Sequence, residues 1–220
     1  MSVERLIGAG LLAVTAVLLV RLLAQAIRVL QTYSGTSQRR QEDAAGSAPE
    51  PETDTAERVA SLGTLGYHQI GSTRTVLPFG VQYGRILAAD DESSYAIVVD
   101  APQGVPVLTA FYSSWPDGTW IGTMHPYGDP HQRPGLQLSV SSGSLADAVA
   151  SHLAAIERES PAHGHPKHIT RMADVLALDA DYRQRFGGRE LRPLVIRALA
   201  PTVALLVVWV VSLYVFLTTP

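Results

Sequence analysis

With seven histidines and no cysteine, the metal ligands this 220-residue chain can offer are chiefly imidazoles and carboxylates. Three of the imidazoles, His163, His165 and His168, fall in the stretch AHGHPKH beside the only lysine, Lys167. His-x-His on an extended chain puts two rings on one side, which suits zinc, but zinc takes three or four ligands. No Cys-x-x-Cys or His-x-x-x-His pair supplies the remainder. Pro161, Gly164 and Pro166 are residues that a bend requires in any case. We therefore read the stretch as a solvated bend between two helices, with a zinc site as the alternative. A second set, His125, Asp129 and His131 in MHPYGDPH, has the types needed for metal binding or proton transfer. The plainer reading is the end of a strand followed by a Pro/Gly loop.

His152 differs from these because Leu145, Val149 and Ile156 share its helical face. A histidine in that company packs against the core with one ring nitrogen hydrogen-bonded. Trp115 and Trp120 flank a turn, where they form either an exposed aromatic surface or a stacked pair in the core. Together with His152 they are the candidate ligand or partner surface. No serine lies in Gly-x-Ser-x-Gly or Ser-x-x-Lys, so no activated nucleophile is signalled. No glycine-rich stretch ends in Gly-Lys-Ser/Thr, and the net charge of −3 argues against nucleic acid as a partner.

The elements that would hold these residues divide into strands, then helices. Tyr67–Ile70, Val76–Leu87, Tyr95–Val99, Val107–Trp115, Thr119–Met124 and Leu136–Val140 are apolar or alternating runs parted by turn residues. In FYSSWPDGTWIGT, Pro116, Asp117 and Gly118 suit a tight turn that pairs Phe111 with Thr123. Ser144 with Asp147 forms a capping box at the start of one helix. Thr170 starts another, carrying Met172, Val175, Leu178 and Tyr182, which Gly187-Gly188 should end. The expected fold is α+β, an antiparallel sheet with two or three helices on one face, over residues 57–188.

The two ends are far more apolar. Residues 6–20 and 198–219 carry no charge. About 20 apolar residues suffice to cross a bilayer core, so we read 5–30 and 194–218 as transmembrane helices flanking the domain. A cleaved signal peptide ending at Ala24-Gln25-Ala26 is the alternative for the first. Arginine is concentrated on the inner flanks, including Arg28, Arg189, Arg192 and Arg197, placed to meet the membrane interface and anionic headgroups. That asymmetry predicts a cell-membrane protein with both termini outside and its domain in the cytoplasm. Residues 32–56, rich in proline, serine and acids, read as a disordered linker. The expected function is that of a non-catalytic subunit, adaptor or sensor at the bilayer, binding a protein or small ligand without a cofactor. The alternative is a membrane-bound, zinc-dependent hydrolase built on the His/Asp cluster.

Overall fold

The computed structural model describes residues 14–24, 41–77, 80–102 and 104–218. The chain forms two compact units, one of Arg40–Asp181 and one of Met1–Arg39 with Tyr182–Pro220; the helix over residues 14–24 is α1.

The first unit is α+β, built on a mixed eight-stranded sheet. Its strands are β1 (Glu42–Asp43), β2 (Tyr67–Leu77), β3 (Gly80–Ala89), β4 (Tyr95–Val99), β5 (Thr109–Ser114), β6 (Trp120–His125), β7 (His131–Arg133) and β8 (Leu136–Val140). From β1 to β6 each strand pairs antiparallel with the next. The Pro116-Asp117-Gly118 turn sets the expected register, Phe111 opposite Thr123, with Gly118 at φ 91°. The sheet is not wholly antiparallel, because β8 runs parallel to β6 in the order β6-β8-β7. Parallel neighbours ordinarily need a helical crossover. Here β7, antiparallel to β8 at the sheet edge, carries the chain back, and no helix is required.

Helices α2 (Thr53–Thr64) and α3 (Leu145–His163) cover the face that carries Leu87, Ala96, Val98 and Phe111. Leu62 of α2 and Ala148 and Val149 of α3 enter the same core cluster. Ser144 accepts from the Asp147 N–H, while the Asp147 carboxylate accepts from the Ser144 N–H, so the expected capping box is present. Its Ser144 hydrogen bonds hold the Asp147 carboxyl below the usual carboxylate range. A further helix, α4 (Met172–Thr218), begins against the opposite face. There the Met172 side chain lies so close to Gly71 that a Cβ at Gly71 would sit 2.9 Å from its sulfur. The helices thus occupy both faces of the sheet, not one. Gly187-Gly188 does not end α4, since glycine permits a left-handed cap without compelling one.

The linker expected at 32–56 is part of the fold from residue 41 onward, residues 32–40 lying outside the described part. Glu42 and Asp43 pair with Arg74 and Thr73, Ala44 is buried, and α2 has started by Thr53. What fastens this polar stretch is Arg85. Its guanidinium donates to both carboxylate oxygens of Asp100, at 3.0 and 2.7 Å, and to the Pro49 carbonyl at 2.6 Å.

The transmembrane part of the expected fold is overturned. Among the described residues, no helix is long and apolar enough to cross a membrane. Toward the N-terminus the described helix covers 14–24 and includes Arg21. The multi-pass location, the outside termini and the cytoplasmic assignment were derived from those spans and are withdrawn with them. Of the interface arginines, Arg28 lies outside the described residues, and the side chains of Arg189, Arg192 and Arg197 are likewise outside them.

Candidate functional site

The sheet face beneath α2 and α3 carries two histidines in unlike settings. Alternation on β6 sends Thr123 and His125 to the same side, which Thr109 and Phe111 share from β5. His152 reaches this face from α3 and is wholly buried. Its Nε2 lies 3.1 Å from Ser113 Oγ and its Nδ1 3.1 Å from Thr123 Oγ1. Ser113 gives its one hydroxyl proton to the Ser93 carbonyl at 2.9 Å, so it must accept from the ring. Nε2 therefore carries the hydrogen, and Nδ1 accepts from Thr123. Ser139 Oγ, 3.2 Å from Thr123 Oγ1 and 3.2 Å from the Gly122 carbonyl, extends the network to β8. Burial pushes the His152 pKa down from 6.5 to about 3. The ring is a neutral polar tie between α3 and three strands, with both nitrogens used where sequence suggested one.

His125 sits at the end of β6, ahead of a cis bond to Pro126. Its Nδ1 is 3.0 Å from the Ser141 carbonyl, an acceptor only, so Nδ1 bears the hydrogen. With Nδ1 so committed, the unprotonated nitrogen of a neutral ring is Nε2, an acceptor. His125 lines a groove of about 560 Å³. Asp54, Glu57, Arg58 and Ser61 of α2 form one wall, and Val105, Pro106, Val107 and Leu145 contribute an apolar one. The spacing 54, 57, 58 and 61 is what places four side chains on one face of a helix. The Tyr127 hydroxyl fastens the opposite loop by donating to the Pro106 carbonyl at 3.1 Å. Burial lowers the pKa of Arg58, and among the described residues no ion pair or hydrogen bond engages its side chain.

The remaining candidates are dispersed. Among the described residues no three His, Asp or Glu side chains gather to hold a metal ion. Asp129 and His131 stay apart from the groove, where His131 Nδ1 donates to the Asp129 carbonyl at 3.1 Å. The AHGHPKH stretch is not a free bend. His163 is the last residue of α3, with Nδ1 2.6 Å from Asp117 Oδ2. The Thr119 N–H and then His163 hold the Asp117 carboxyl below its usual range. Beyond it, Trp115 Nε1 donates to the Gly164 carbonyl at 2.9 Å and the Lys167 N–H to the Ser114 carbonyl at 2.8 Å. His168 pairs with Glu92 at 3.2 Å, while His165 is exposed and joins no metal set among the described residues. The segment is thus strapped across the ends of the strands by its backbone.

Trp115 and Trp120 are buried, Trp115 packing with Ile121 and Ile156. Neither offers a surface to a partner. The α2 wall escaped the sequence reading because it lay at the boundary of the expected linker. The signal that could have found it is the spacing of Asp54, Arg58 and Ser61 beside Val59 and Leu62, polar on one side and apolar on the other. Compared with known proteins, the chain matches no family model, no curated protein and no solved structure.

Proposed function

We propose that the Arg40–Asp181 unit is a non-catalytic binding module whose groove between α2, α3 and the 104–107 loop takes a small ligand. The observation that carries this reading is the groove itself. Its volume of about 560 Å³ falls in the range of small-molecule sites, and it joins an apolar wall to a few polar groups. A protein partner is the weaker occupant, because a concave site of this size suits a compact molecule better than a protein surface.

The test is a fragment set of small carboxylates, amines and zwitterions, added to the full chain and followed by amide NMR. Binding in the groove should perturb Arg58, Val105, His125 and Leu145 together. A saturating fragment should raise the melting temperature, since a ligand at 100 times its Kd adds about 2.7 kcal/mol. A set that perturbs none of these amides, or only residues elsewhere, would refute the proposal.

A further inference from the structure

We infer that the groove is built for a small zwitterion, an α-amino acid with an apolar side chain, whose carboxylate meets Arg58 and whose ammonium meets Asp54 or Glu57. This rests on the groove being a binding site, and it names the class of ligand. The first support is Arg58. It is half-buried, and no acid or carbonyl among the described residues partners it. Partial burial costs the guanidinium some hydration, and a carboxylate that fits its donor fork with two hydrogen bonds would replace it.

The second support is the order of charges along the same wall. Asp54 and Glu57 precede Arg58, and Ser61 follows one turn later. Over roughly 10 Å of helix the wall therefore reads acid, acid, base, hydroxyl. Neither acid is engaged in an ion pair or side-chain hydrogen bond among the described residues. A ligand with only negative charge would meet Arg58 at the expense of two nearby carboxylates, which is discrimination by repulsion. A ligand bearing ammonium and carboxylate on one carbon satisfies both signs.

The third support is the wall opposite. Val105, 45% exposed, stands with Pro106, Val107 and Leu145 where an aliphatic side chain would leave water. His125, with its hydrogen committed to Ser141 through Nδ1, offers Nε2 as an acceptor for an ammonium N–H.

Calorimetry on the full chain tests this with L-leucine, L-leucinamide, N-acetyl-L-leucine and inorganic phosphate. Leucine should bind, and the two analogues lacking one charge should each bind at least about tenfold more weakly, as should leucine to Arg58→Gln. Arg58 is half-exposed, so this variant should retain its cooperative melt, and a melt lost outright would be answered by Glu57→Gln, expected to weaken leucine likewise. N-acetyl-leucine or phosphate binding as tightly as leucine would overturn the zwitterion in favour of a plain anion. Unchanged leucine binding in Arg58→Gln would also overturn it. If fragments perturb the groove while leucine does not bind, the zwitterion falls and the groove stands. If nothing perturbs the groove, both fall.

Discussion

The stability of the domain should fall in mild acid through His152 alone, by an amount that the structure sets. The folded ring has a pKa of about 3 against an ordinary value of 6.5. Between those values the unfolded chain holds a proton that the folded chain does not, so the unfolding free energy must rise with pH. The stabilisation is complete above 6.5 and is lost as pH falls toward 3. Each pH unit of difference is worth about 1.4 kcal/mol, so the loss is about 1.4 kcal/mol near pH 5.5 and about 2.7 kcal/mol near pH 4.5. Fully developed it is on the order of 5 kcal/mol, a large part of the stability of an ordinary domain. Trp115 and Trp120 are buried in this unit, so urea unfolding can be followed by tryptophan fluorescence at a series of pH values. His152→Gln should be less stable near neutral pH, because a single amide cannot reproduce both ring contacts. Its stability should nevertheless fall less steeply in acid, by about 1.4 kcal/mol per pH unit below pH 6. The other six histidines are present in both proteins and cancel in the difference. Parallel pH profiles for the two proteins, or a His152 ring that titrates by NMR near its ordinary value, would refute the argument.

Two further substitutions probe how the sheet is held. Arg85→Met leaves Asp100 without its two-pronged partner and releases the Pro49 carbonyl; removing one member of a buried pair costs about 3–5 kcal/mol, measurable by urea unfolding, and residues 44–50 should become the first site of limited proteolysis. An unchanged cleavage pattern would show that this polar stretch is fastened by something else. Gly122→Ala places a methyl 2.5 Å from Leu138 Cδ2 and 3.0 Å from the Tyr112 ring, at the seam between β6 and its parallel neighbour; overpacking of this kind costs about 1–3 kcal/mol, and a melting temperature equal to that of the parent would mean the seam is looser than these distances imply.

Local chemistry was legible in the sequence wherever a few adjacent residues decide the outcome. Pro116-Asp117-Gly118 sets a turn and a register, and Ser144 with Asp147 starts a helix, because both are satisfied within a handful of bonds. The parallel β6–β8 pair was not legible, since it depends on a three-residue strand, β7, too short to announce itself by alternation. Residues 41–56 read as a linker because their composition is polar. What orders them lies far along the chain, in Arg85 and in the edge of β2, which no local window contains. The apolar ends misled for a related reason. Counting uncharged residues measures a run, whereas a span needs a helix that is both long and apolar, and among the described residues none is. The α2 wall of the groove failed both ways, straddling the end of a supposed linker and distant in sequence from His125.

His125 and His152 show what a sequence withholds about a histidine and what one hydrogen bond restores. Both rings are buried, both serve the same sheet face, and both lie beside Thr123, one two residues along β6 and the other through a hydrogen bond. Sequence context favoured neither for binding. The distinction is the count of committed nitrogens. Ser113 and Thr123 take both of those on His152, which leaves nothing for a ligand and accounts for a ring that stays neutral in the core. Ser141 takes only Nδ1 of His125, and the ring borders open volume. An acceptor at the lining of a groove is accessible to a donor that arrives there. The same reasoning applies to Arg58 across the groove, a half-buried donor without an acceptor. Two unsatisfied groups of opposite hydrogen-bonding sense, facing one cavity, are what a ligand carrying both an N–H donor and a carboxylate would complete.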